Sequence, residues 1–185
     1  MRRPKQFKFM ILLLSVLILL SYLLINVSSG QSVIPSDEVW HYEDIHKEYN
    51  AKRYKKEEEY HFVYDGDTFF VSNKKCMKET PVLCKRIGVR IRGVDTPELH
   101  SAKCERERKL ALMARGYLRW TLEHKEFELR NIVRGRNYRV VADVYTKEGN
   151  LLPFLLDKIF YREYNGKRQP WCSQSEMEAF KRNKK

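Results

Sequence analysis

A chain of 185 residues, 43% hydrophobic and 12% aromatic, holds enough apolar side chains for one compact domain with its own core and too few for two of ordinary size. Lysine and arginine outnumber aspartate and glutamate by 36 to 24. The resulting positive field favours polyanionic partners, nucleic acid or an acidic membrane face.

The first eight residues, MRRPKQFK, carry four positive charges and no acid, and Phe9 to Ile25 follow as seventeen residues without a charge. This pattern predicts an export signal over 1–30, a hydrophobic leader helix. It is either a signal peptide, cut near Ser29 or Gly30, or a signal anchor that keeps the protein on the membrane. In both cases the basic end stays inside and the remainder is extracellular, secreted or tethered to the outer face of the cell membrane. Taking the four leader charges from the total of +12 leaves +8 for residues 31–185.

Export governs the reading of the cysteines. Cys76, Cys84, Cys104 and Cys172 all lie in the exported part and contain no CxxC pair, which favours disulfides over a metal cluster. Cys76 with Cys84 would staple a hairpin loop, and Cys104 with Cys172 would tie the tail back to the body. Unpaired thiols are the alternative.

Residues 31–59 are rich in charge and tyrosine, with Val39, Tyr42, Ile45 and Tyr49 near helical spacing and Ser36–Asp37–Glu38 as a helix start. The segment reads as a polar linker or stalk containing one helix. From Tyr60 the period changes to two: YHFVYDGDTFFVS predicts a strand, a tight acidic turn and a second strand. KRIGVRIRGV follows as a third, with Ile87, Val89 and Ile91 on one face and Arg90 and Arg92 on the other. In KCERERKLALMARGYLRWTLEH, positions 110, 113, 114, 117, 118, 121 and 122 match the helical template. EFELRNIV and YRVVADVYT read as two further strands joined by a turn at RGRN. Asn150 opens a short helix with Pro153 in its first turn, and Ser173 with Glu176 has the spacing of a capping box for a last helix.

The chain has no repeat, no Gly-rich phosphate loop and no strand–helix alternation of the doubly wound kind. Five strands interrupted by a helix after the third predict an α+β, mainly β fold, a five-stranded OB-type barrel with two or three packed helices. The barrel domain is expected over 60–172, with a C-terminal helix and basic tail over 173–185.

Asp65, Asp67, Asp95 and Glu98 fall in turns at strand ends. A hard cation such as Ca²⁺ takes six to eight oxygens, and two acidic turns brought together can supply several of them. DGDT alone is a good turn sequence and no more. Three separated motifs, DGDT at 65–68, VRIRGVDTPE at 89–98 followed by a helix opening ERERKLA, and YRVVADVY at 138–145, together resemble the staphylococcal nuclease (thermonuclease-like) family in order, spacing and residue type. The similarity covers about residues 60–170.

That resemblance implies a catalytic Ca²⁺ held by Asp67, Asp95 and the main-chain carbonyl of Thr96. It implies Glu98 as the general base that activates water, and Arg90 and Arg139 as the arginines that hold the scissile phosphate. Asp65 would shape the turn. Independently of any family, two guanidinium groups, one cation and one base form a complete set for attack on an anionic phosphodiester. Arg134, Arg136 and Tyr138 are candidates for contact with the nucleic-acid backbone or bases; turn formation for the arginines and packing for the tyrosine are the structural alternatives. The family's Tyr-Gly-Arg reads Asn137-Tyr138-Arg139 here. The expected protein is an exported monomeric nuclease acting on DNA and RNA, contacting the membrane only through an uncleaved leader and with no protein partner implied. The runner-up is a barrel that binds nucleic acid at the cell surface without cutting it.

Overall fold

The structure, a computed structural model, describes residues 38–48, 62–74, 85–135, 137 and 139–183. All of them belong to the compact unit Ile34–Lys185. The expected leader over 1–30, Cys76, Cys84, Arg136 and Tyr138 lie outside the described residues. Among the described residues no helix is long and apolar enough to cross a membrane.

The fold is α+β and mainly β, a curled half-barrel sheet carrying three α-helices. Strands β1 (Ile45–Lys47), β2 (Val63–Asp65), β3 (Thr68–Asn73) and β4 (Ile87–Ile91) precede a short β5 (Val94–Asp95) and helix α1 (Glu105–His124). Then come β6 (Phe127–Arg134), β7 (Arg139–Thr146), β8 (Gly149–Asn150), helix α2 (Leu151–Leu156), β9 (Arg162–Glu163) and helix α3 (Gln174–Arg182). The main sheet runs β1-β3-β4-β7-β6, with β2 also on β3 and β8 also on β7, while β5 and β9 form a separate pair. The β4–β7 pairing is parallel and the others in that sheet are antiparallel.

Period-two patterning decides which way each strand faces. Ile87, Val89 and Ile91 of β4 and Val140, Ala142 and Val144 of β7 are buried, so Arg90 and Arg139 project from the opposite side. Phe62, Phe69 and Phe127 meet edge to face at 6.4 and 5.6 Å in the core, each burial contributing about 1.5–3 kcal/mol. Around the expected turn at RGRN, the Gly135 N–H donates to the Arg139 carbonyl at 2.8 Å and Asn137 has φ 58. Asn150 caps α2 by accepting from the Leu152 N–H, and Ser173 and Glu176 form the expected capping box on α3.

Two expectations are corrected. Residues 38–48 are not a helical stalk: Tyr42–Asp44 make one 3₁₀ turn, β1 pairs with β3, and Trp40 is buried and bridges to Leu129 of β6. The outer edges of β3 and β6 need partners for their backbone N–H and C=O groups, and a buried tryptophan adds to the gain. The remainder of the expected linker, 49–59, lies outside the described residues. In α1 the buried line is Glu107, Ala111, Ala114, Leu118, Thr121 and Leu122, while Met113 is 49% exposed. The other expected positions hold, with Ala114, Leu118, Thr121 and Leu122 buried and Leu110 and Tyr117 packed on the core, and it is Ala114 that meets Gly66 of the DGDT turn.

Candidate active site

Gly66 allows the two acidic turns to meet. A Cβ at this position would lie 2.5 Å from Ala114 Cβ on α1 and 3.0 Å from Thr96 Cγ2 in the VDTPE turn. The backbone of DGDT is therefore pressed between the helix and the second turn, an approach that glycine alone permits. Gly66→Ala is expected to force these elements apart and to lower stability by about 1–3 kcal/mol, measurable as a reduced urea midpoint with an unchanged slope.

Asp67, which this approach buries, is 1% exposed. Its Oδ1 accepts from the Thr68 hydroxyl at 2.8 Å and its Oδ2 from Arg90 Nη1 at 2.7 Å. Arg90 stands opposite Thr68 in the β3–β4 register, which brings its guanidinium to this carboxylate. A second nitrogen, Nη2, donates to the Val94 carbonyl at 3.2 Å, next to Asp95. The ring of Tyr164 lies 5.6 Å from the guanidinium. Asp65 Oδ1 is buried without a hydrogen-bond partner. Burial, reinforced by the negative charge of Asp67, pushes the Asp65 carboxyl up to about 7.

The second turn is held by β9, whose Arg162 pairs in register with Asp95 and whose neighbour Tyr164 donates its N–H to the Gly93 carbonyl at 2.9 Å. Asp95 and Thr96 are both buried. Arg168, a residue not singled out from the sequence, reaches them from the loop after β9. Its Nε donates to Asp95 Oδ1 at 2.8 Å, Nη2 to the Thr96 carbonyl at 3.4 Å and Nη1 to Glu98 Oε1. Glu98 is further held by the Ser101 hydroxyl at 3.2 Å. Behind the loop, buried Glu107 accepts from the N–H groups of Glu98 at 3.3 Å and Lys103 at 2.7 Å. The 98–103 loop is thus lashed to the first turn of α1, and Glu107 positions Glu98. A cleft of about 420 Å³, lined by Glu98, Ser101, Lys103, Arg168 and Trp171, opens beside Glu98.

Arg139 stands opposite Gly88 and two register positions from Arg90 on the same side of the β4–β7 pair. Its side chain lies over Gly88 so closely that a Cβ there would meet Arg139 Cγ at 2.9 Å. Arg134 is exposed on β6. Arg92 pairs with Asp143 at 3.0 Å, as an ion-paired surface residue. Tyr161 is core, its hydroxyl donating to the Ala114 carbonyl at 2.9 Å.

The two turns offer two buried carboxylates, the Thr96 carbonyl and the orphaned Asp65 Oδ1. All are hard oxygen donors, and they fit a Ca²⁺-type cation in chemistry. No three of Asp65, Asp67, Asp95 and Glu98 bring carboxylate oxygens within 4.8 Å of one another; among the described residues only Cys104, Glu107 and Cys172 form such a cluster. Its two sulfurs are joined as a disulfide, with Cα atoms 6.1 Å apart, and offer no thiolate to a metal. That bridge is the Cys104–Cys172 tie expected for the tail.

Arg168 escaped the sequence reading because it acts across 70 to 73 positions, and Glu107 because its bonds to the loop are to backbone N–H groups that residue type does not reveal. The available signals were Asn165-Gly166, a turn that folds the basic loop back, with Gly166 at φ 89, and the cysteine that anchors that loop near the start of α1. No protein-family model and no curated protein matches the chain.

Proposed function

We propose that this protein is an exported, Ca²⁺-dependent nuclease of the staphylococcal nuclease kind, hydrolysing phosphodiester bonds of DNA and RNA with little sequence preference. The observation that supports this reading is the contact at Gly66, where the DGDT turn packs against Thr96 of the VDTPE turn, together with the Arg90 guanidinium that spans Asp67 and the Val94 carbonyl. The sheet order, with Trp40 bridging to β6, supports a closed five-stranded barrel of OB type beneath that place. A Cys104–Cys172 disulfide suits an oxidising, extracellular compartment.

Asp67, Asp95 and the Thr96 carbonyl would hold the cation. When bound, Ca²⁺ neutralises charge that grows on the phosphoryl oxygens and polarises the phosphate toward attack. Arg90 and Arg139, on one side of the β4–β7 pair, contact the non-bridging oxygens with donors that never lose their proton. Arg90 is oriented beforehand by Asp67 and the Val94 carbonyl, so little reorganisation accompanies the reaction. Glu98, 31% exposed at its side chain, is open to water and accepts its proton in general-base attack. Phosphate-backbone contacts carry affinity without sequence information, which suits a net charge of +8 on residues 31–185.

Incubation of the protein with supercoiled plasmid and with single-stranded RNA tests the reading. Cleavage is expected with Ca²⁺ and none with excess chelator. Retarded but intact nucleic acid in both conditions would instead make the protein a binding module.

A further inference from the structure

We infer that Arg168 is the site's own counter-cation, a tethered guanidinium that competes with the divalent ion for Asp95, the Thr96 carbonyl and Glu98. The inference rests on the nuclease reading, since it concerns the same oxygens. Arg168 directs one nitrogen to each of three groups: Nε to Asp95 Oδ1 at 2.8 Å, Nη2 to the Thr96 carbonyl at 3.4 Å and Nη1 to Glu98. These are two of the three expected metal donors and the expected base. No other side chain among the described residues is recorded donating to all three.

The charge pattern gives the contact its purpose. Asp67 and Asp95 are almost fully buried, and an unpaired buried carboxylate is strongly unfavourable. Each has one arginine: Arg90 on Asp67, Arg168 on Asp95. The two arginines differ in freedom. Arg90 projects from the central strand β4 and is 21% exposed, whereas Arg168 sits on a loop and is 41% exposed. Arg168 can therefore withdraw into solvent while Arg90 stays. A divalent cation and a guanidinium repel each other and need the same oxygen lone pairs, so occupation by one excludes the other.

The loop keeps the competitor at hand. On one side it is pinned by the β5–β9 pairing and the Tyr164–Gly93 hydrogen bond, and on the other by the Cys104–Cys172 disulfide. A displaced Arg168 thus remains at high effective concentration beside the site. The consequence is a threshold: the carboxylates are neutralised at low Ca²⁺, and the base is released only when enough cation is present to remove the guanidinium.

Calcium binding by calorimetry on the full-length protein tests this without reference to activity. Arg168→Ala and Arg168→Gln are each expected to bind Ca²⁺ about tenfold more tightly than wild type. Both should melt lower than wild type in chelator and show a larger rise in Tm on adding Ca²⁺. Arg168→Lys, which keeps the charge and loses the fork, should fall between. Equal or weaker Ca²⁺ affinity in both the alanine and glutamine proteins, with native circular dichroism, overturns the competition. Absence of Ca²⁺ binding in wild type and variants alike overturns the metal-dependent reading and the inference with it, which separates the two failures.

Discussion

Arg90→Ala is expected to slow phosphodiester cleavage by roughly 10²–10³-fold in single-turnover assays at saturating Ca²⁺, by removing a preorganised donor from the developing phosphoryl charge. The same substitution leaves Asp67 buried without its 2.7 Å partner, and the uncompensated carboxylate should cost about 3–5 kcal/mol of stability in chelator. The two effects separate on adding Ca²⁺. The ion supplies the charge that Asp67 has lost, so the melting temperature should recover toward wild type while the rate does not. Recovery of both together would make Arg90 a structural ion-pair partner only, and would remove one of the two proposed phosphate-holding groups. Arg90→Lys keeps a point charge but loses the fork that spans Asp67 and the Val94 carbonyl, and should retain most of the stability and little of the rate.

Replacing Cys104 and Cys172 together by serine is expected to reduce stability by about 4 kcal/mol, the chain-entropy cost of opening a loop of this size, given the sequence separation of 68. In a domain of this length that corresponds to a fall in Tm on the order of 10–15 °C. The bridge also does local work: Cys104 Sγ caps α1 by accepting from the Glu107 N–H at 3.4 Å, and the start of α1 is tied to the tail by Arg106, which donates to Glu176 and to the Trp171 carbonyl. Loss of the bridge therefore loosens both ends of the network that positions Glu98 and Arg168. Differential scanning calorimetry of the oxidised, reduced and double-serine proteins checks the expectation. Coincident transitions in all three would mean that the hydrogen bonds and ion pairs alone hold the tail.

How much of this was readable beforehand follows the range of the interactions concerned. Strands β3, β4, β6 and β7 were legible from period-two alternation, because one sheet face is buried along their length. Helices α1, α2 and α3 were legible from spacing and capping residues, which act within one turn. Residues 38–48 misled because Val39, Tyr42 and Ile45 mimic a helical stripe, while the deciding contacts of Trp40 and β1 lie 24 or more residues away in β3 and β6. Met113 misled because an apolar side chain that fits the helical spacing can still stand at the edge of the buried stripe, where it is 49% exposed.

The chemistry of the candidate site was carried by residue type at short spacing, in DGDT, VRIRGVDTPE and the arginine that opens β7, since carboxylates at turns and guanidiniums on strands are local facts. The meeting of the two turns was decided in three dimensions, by a glycine thin enough for them and a helix to touch, and the Arg90–Asp67 pair by strand register. Arg168 and Glu107 belong wholly to the second kind. Arg168 acts from 70 to 73 positions away and Glu107 from 4 to 9, by opposing charge or by hydrogen bonding, and electrostatic complementarity between buried groups depends on distance in space, which chain order does not encode.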